Sequence, residues 1–233
     1  GAAAAAAHIV EPYPDDASVA VALAEFGVFD ERDYYIYLGC GTRRDGDVGE
    51  AAEARGAHVI MVDRKLGRPA LMDLTREAAV ARLACIAASP RCKGMLVSLP
   101  CGAWSALRFD QSIEHPPPVL HDRWHKGGIP GPDGELWSHL LPEHREQGKR
   151  AHAVVDGGIR IMRTAAQAGA PIIIESPVGR GTGYPHAIKG REDHVPVWEF
   201  PPMADCLSSV DTRPVNFDQC ALGAATQKTT SLY

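Results

Sequence analysis

No stretch of this 233-residue sequence is apolar for long enough to span a membrane, and its start does not read as a cleavable secretory leader. Nor is there a surplus of cations. Lys and Arg number 24 against 29 Asp and Glu, giving a net charge of −5 and a pI near 6.1. Phosphate binding draws on Lys and Arg, so this balance argues against a protein that holds nucleic acid by bulk charge; a local basic groove stays open. The six cysteines (Cys40, Cys85, Cys92, Cys101, Cys206, Cys220) contain no Cys-x-x-Cys pair. That spacing argues against a zinc ribbon, and the chain length against a disulfide framework. Free thiols in an intracellular, reducing compartment are the expectation. A complete Gly-x-Gly-x-x-Gly is missing too, which makes NAD the less favoured nucleotide.

What is present suits one folded domain with a full core: 45% of residues are hydrophobic and 23% charged. Residues 1–10, with their alanine tract, read as low-complexity and are set apart from a domain at 11–233. Along that domain strands and helices alternate. Residues 34–38 read as a strand, 48–55 as a helix stopped by Gly56, and 58–62 as a second strand ending at Asp63. Thr75 reads as the cap of a helix at 78–88. The apolar run 94–99 is a third strand. A helix at 154–168, ended by Gly169, leads into a fourth strand at 172–174. Alternation of this kind predicts a doubly wound, mostly parallel α/β sheet.

The first turn, Gly39-Cys40-Gly41, allows a ligand close approach to the backbone, and the helix beginning near Asp47 points its positive end the same way. Asp63 ends the second strand, where an acidic group can accept from ribose hydroxyls, and it follows Gly41 at close to the ~20 residues of nucleotide-binding βαβ units. Two further strand ends carry chemistry. The run 94–99 stops at Pro100-Cys101, and the run 171–174 stops at Glu175-Ser176-Pro177. A thiol and a carboxyl group on strand ends of one sheet lie where open α/β sheets bind ligands.

In this order the segments resemble the DNA cytosine-5 methyltransferase family, within the S-adenosylmethionine-dependent methyltransferase fold. Tyr37-Leu38-Gly39-Cys40-Gly41 is similar to the first cofactor motif, Val62-Asp63 to the ribose-binding strand end, and Asp73-Leu74 to the adenine contact. Leu99-Pro100-Cys101 resembles the Pro-Pro-Cys nucleophile motif and Glu175-Ser176-Pro177 the Glu-Asn-Val/Pro motif. Pro100 to Ser105 and the tail around Cys220 are closest to short forms from phages, viruses and mobile elements. The resemblance covers roughly residues 34 to 232. It implies S-adenosylmethionine as cofactor, held by Gly39, Gly41, Asp63, Asp73 and Pro100. It implies Cys101 as nucleophile at cytosine C6 and Glu175 as the group that protonates N3. On the substrate side the candidates are Trp104, Ser105, Arg180 and Lys228, with DNA, or alternatively RNA, as partner.

Leu99 stands where the family has a first proline, Ser176 where it has asparagine, and no Gln-x-Arg-x-Arg motif is visible. Only about forty residues separate Glu175 from the tail motif. These departures keep a second reading open: a non-catalytic methyltransferase-like domain in a larger viral, mobile-element or organellar assembly. Residues 105–148 read as a long lid-like insertion, rich in proline and histidine. Within it His121 and His125 have a spacing at which a metal site is conceivable, although scattered surface histidines are the plainer reading. Trp104, Trp124 and Trp137 could stack on a base, although packing is the plainer reading for at least two of them. Arg43, Arg44, Arg180, Arg191 and Lys189 could meet phosphate, although a solvated face is the plainer reading.

Overall fold

Alternation of buried and exposed side chains builds the first strand, β1 (Tyr34–Leu38). Tyr34, Ile36 and Leu38 are fully buried while Tyr35 stays 42% exposed, the period of two expected of a strand. In the computed structural model, which describes residues 14–41, 47–99, 102–110, 112, 114–184, 186–210, 212–218 and 229–233, this strand has a neighbour on each side. It pairs in parallel with β2 (His58–Val62) on one side and β3 (Cys92–Ser98) on the other. Parallel to β3 lies β4 (Ile172–Pro177). The chain then adds a hairpin, β5 (Val215–Asp218) with β6 (Thr229–Leu232), whose second strand runs antiparallel to β4. The six-stranded sheet has the order β2-β1-β3-β4-β6-β5.

Among the described residues six α-helices accompany the sheet: α1 (Asp16–Glu25), α2 (Val48–Glu53), α3 (Pro69–Met72), α4 (Glu77–Ala87), α5 (Pro142–Gln167) and α6 (Pro201–Ser208). Two contacts show that both faces carry a helix. The Tyr34 hydroxyl donates to Ile86 O of α4 at 2.7 Å, so α4 covers the face of Tyr34, Ile36 and Leu38. Met61, in register with Tyr37 and hence on the opposite face, lies against Gly49 of α2, where a Cβ would come within 2.7 Å of its sulfur. That second face is the more open one; Ile173 in β4 is half exposed. The fold is therefore an α/β sandwich around a mostly parallel sheet. Among the described residues no helix is long and apolar enough to cross a membrane.

Several elements depart from their sequence expectations. The third strand begins at Cys92 rather than 94, because Cys92 pairs with Tyr34 across a register shift. The helix expected from 154 starts at Pro142, a proline in the first turn where no backbone N–H is needed. Its added turns are mostly polar and solvent-facing, so they carry little apolar periodicity. Thr75 does not cap α4. Asp73 instead accepts from the Thr75 N–H (3.1 Å) and hydroxyl (2.7 Å), closing a turn ahead of that helix. The helices α1 and α6 and the β5–β6 hairpin had no counterpart in the sequence reading.

Residues 114–141 form neither helix nor strand apart from one bridge between Pro130 and Leu136. They are nevertheless anchored. Trp137 is 1% exposed, holds φ at +59°, and donates its indole N–H to Leu120 O at 2.8 Å. A Cβ on Gly128 or Gly148 would sit 2.8 and 2.6 Å from its ring. Two bare backbones thus make room for one large side chain.

Candidate cofactor cavity

The chain leaves β1 toward β2 on one side, while β3 lies on the other. An open α/β sheet has its crevice at such a switch point, beyond the carboxyl ends of the strands. A cavity of about 400 Å³ occupies that place, lined among others by Gly39, Gly41, Asp63, Asp73, Leu99 and Gly102. Its size falls in the ~300–1,000 Å³ range of small-molecule sites. The structure thus brings four of the residues singled out in the sequence to one surface, from three separate turns.

Each of the four has a local reason to be there. Gly39 has φ +71°, and a Cβ would lie 2.1 Å from Ser98 O, so only glycine lets the β1 turn pass this close to β3. Its N–H donates to Val62 O at 2.8 Å, which ties the turn to the end of β2. Asp63 fastens the same region from its side chain: one oxygen accepts from the Gly41 N–H (3.0 Å), the other from the Lys65 N–H (2.9 Å). A carboxylate has about four acceptor positions. Asp63 and Asp73 therefore keep acceptor capacity for a ligand after making these bonds. Met72, Leu74 and Val154 add apolar wall, and Arg64, Lys65 and Arg150 place cations around it.

The catalytic pair is only half in view. Pro100, Cys101 and Lys228 lie outside the described residues, as do Arg43 and Arg44. Glu175 is half-buried on β4, in register with Ser98, the last residue of β3. It is not part of the cavity lining. Trp104 is buried, its ring stacked on His121 at 4.6 Å between centroids. Ser105 caps the short helix Ala106–Phe109, accepting from the Leu107 N–H. Arg180 directs its guanidinium to His186 O at 3.3 Å. These three therefore serve local structure, away from the cavity wall.

Four other cysteines are described, and none is poised to react. Burial, with the Asp63 charge second, pushes the Cys40 thiol up to about 11. Burial likewise raises Cys85, Cys92 and Cys206. Thiols held protonated in this way are poor nucleophiles at neutral pH.

Histidines were the residues sequence reasoning misjudged. His121 and His125 do not converge. His125 Nδ1 lies 3.0 Å from an Asp122 oxygen, whereas His121 Nε2 meets His152 Nε2 of α5 at 2.8 Å. Both members of that pair are pushed down from 6.5 to about 4, chiefly by burial and, for His121, by the neighbouring imidazole. At neutral pH both are uncharged. His194 is buried as well and lowered for the same first reason. No periodicity links residues 121, 152 and 194, so their shared region is a product of tertiary packing alone. Comparison with protein-family models, with curated proteins and with solved structures found no match for this chain.

Proposed function

We propose that this chain is an S-adenosylmethionine-dependent methyltransferase that modifies C5 of cytosine in DNA, on a sheet of the methyltransferase type. The observation that carries the reading is the cavity itself. Gly39, Gly41, Asp63 and Asp73, chosen for a cofactor on sequence grounds, line one opening at the switch point of the sheet.

The lining suits an adenosine-containing ligand. The turn at Gly39 and Gly41 presents side-chain-free backbone to the cavity, Asp63 can accept from ribose hydroxyls, and Asp73 can accept from an exocyclic amine. Met72, Leu74 and Val154 give a purine ring an apolar bed, and Lys65 or Arg150 can pair with a carboxylate. When bound, the cofactor supplies an electrophilic methyl group on a sulfonium. Cytosine C5 is too poor a nucleophile to take it unaided. Cys101 as thiolate forms a bond to C6, Glu175 holds a proton at N3, and the displaced electron pair makes C5 enamine-like. Methyl transfer to C5 would release the demethylated donor as a neutral thioether, the C5 proton would pass to solvent, and the C6–S bond would break to return the Cys101 thiolate. The base leaves the duplex stack first, at a cost of a few kcal/mol.

Trapping tests this chemistry. With DNA carrying 5-fluorocytosine and the methyl donor present, a covalent adduct on Cys101 is expected, because fluorine replaces the proton that must leave. Cys101→Ser should abolish it, Glu175→Gln should slow it by about 10²–10⁴, and Cys220→Ser should leave it unchanged. Binding of the methyl donor without any adduct, on DNA or RNA, would overturn catalysis and leave the non-catalytic reading.

A further inference from the structure

Of the four tryptophans, three are packed: Trp104, Trp137 and Trp198 are 5%, 1% and 7% exposed. Trp124 is 70% exposed. It stands at the tip of a closed excursion of the chain, residues 120–129. The base of that excursion is anchored. The Ile129 N–H donates to Leu120 O at 3.0 Å, Leu120 is fully buried and His121 is 2% exposed. The tip is held as well. One Asp122 oxygen accepts from the Trp124 N–H (2.9 Å) and from the His125 N–H (2.7 Å). Arg123 reaches the loop after β4: its N–H donates to Asp193 O at 3.0 Å and its Nε to the Asp193 carboxylate at 2.8 Å. Lys126 pairs with Glu199. An ordered turn thus presents a large aromatic side chain to solvent.

The chemistry of the tip selects its partner. Residues 123–126 are Arg, Trp, His and Lys, all exposed, with no carboxylate among them. Each of these four side chains can donate a hydrogen bond. The Arg123 guanidinium lies over the Trp124 ring, 4.3 Å from its centroid, and so backs one face of the indole. At 70% exposure the opposite face is left to solvent. A planar partner rich in acceptors fits such a surface, and a nucleobase with its phosphates is one. An apolar protein groove fits it less well, because none of the three neighbours in the tip is apolar. Both cations already have carboxylate partners, so stacking rather than counterion release supplies the attraction. The place is also apt. His121 Nδ1 lies 3.3 Å from Ala103 O in the cavity lining, and three residues of chain keep Trp124 within ~11 Å of His121. We propose that Trp124, backed by Arg123, is a stacking platform for an unpaired base of a nucleic-acid strand beside the cavity. It rests on the methyltransferase reading only for the identity of that strand as DNA.

The test is binding of a single-stranded oligodeoxynucleotide of about twelve nucleotides to the full chain, followed by tryptophan fluorescence with acrylamide as a collisional quencher. With the other three tryptophans buried, Trp124 supplies the accessible component, and the bound strand should protect it. Anisotropy of the labelled strand gives the affinities. Trp124→Ala should weaken binding by about 5–150-fold, the loss of one stacked base. Trp124→Phe keeps an aromatic face and should stay within about threefold of the native chain. Thermal melts of both variants should match the native chain, since the side chain is exposed. Failure of the native chain to bind, unchanged binding by Trp124→Ala, or a strand that leaves the accessible component unprotected overturns the platform. Equal protection by inorganic polyphosphate, or by vesicles of phosphatidylcholine and phosphatidylserine, overturns it too, because these carry charge without bases. Calorimetry with S-adenosylhomocysteine on the same samples separates the two claims. A chain that holds the strand through Trp124 but not this compound keeps the platform and counts against the methyltransferase reading; the reverse result overturns the platform alone.

Discussion

On the β1–β2 side of the cavity the backbone closes on itself. Gly39 donates to Val62 O, Gly41 donates to Asp63, and the whole arrangement spans residues 39 to 65. On the β3 side the turn at 102–104 is held from outside, by side chains at 108, 121 and 194. The first wall is a local device that glycine and one carboxylate can encode. The second is a tertiary device, assembled only when the insertion and the loop after β4 have packed. Damage to the first should therefore be severe and positional. Damage to the second should be graded and dependent on conditions.

The comparison breaks most visibly at Gly39. Alanine there would need a left-handed backbone and would drive a Cβ to 2.1 Å from Ser98 O. A loss of at least ~3 kcal/mol is expected, from αL strain together with displacement of β3. Chemical denaturation would show this as a large fall in the midpoint or as failure to fold.

Acid probes the other wall. His121 and His152 are held down from 6.5 to about 4 in the folded state, so the unfolded chain binds more protons in that interval. Stability is then complete above pH ~6.5, falls as pH drops through the interval, and levels off below about 4. The loss should be on the order of a few kcal/mol. Thermal melts between pH 7 and 4 would follow it. His152→Leu should flatten the profile by removing one titrating member of the pair.

A smaller effect is expected at Asp63, whose two oxygens each accept from a backbone N–H. Asp63→Ala should cost about 1–3 kcal/mol, seen as weaker ligand binding and a lowered melting temperature. Gly41→Ala gives the smallest change and sharpens the contrast with Gly39. Its φ is +72°, but nothing lies within 4 Å of an added Cβ, so only the backbone cost of about 1 kcal/mol applies.

The same division between local and tertiary explains what was legible beforehand. Strands at 34–38 and 58–62 were readable because each is a short apolar run bounded by Gly39 or Asp63, and the structure ends them at those residues. The cofactor-side residues were readable for the same reason: turn chemistry at a strand end is written within a few positions. The first half of α5 was not, because its polar residues face solvent and carry no period. Nor was the hairpin β5–β6, whose second strand is specified by the edge of β4 that it meets and whose first by that second strand. Trp104 and His121 looked like surface candidates in a loop, and only packing reveals that they stack on each other. Long-range pairs such as His121–His152 and Trp104–His194 leave no mark in the intervening sequence.

Calorimetric titration of the purified chain with S-adenosylmethionine and with S-adenosylhomocysteine tests the central claim most directly. Saturable binding of either compound, with one site per chain and an affinity reduced at least tenfold in Asp63→Ala, is the result expected if the cavity at the switch point is a methyl-donor site. Absence of heat with both compounds, from a protein shown to be folded, would contradict it.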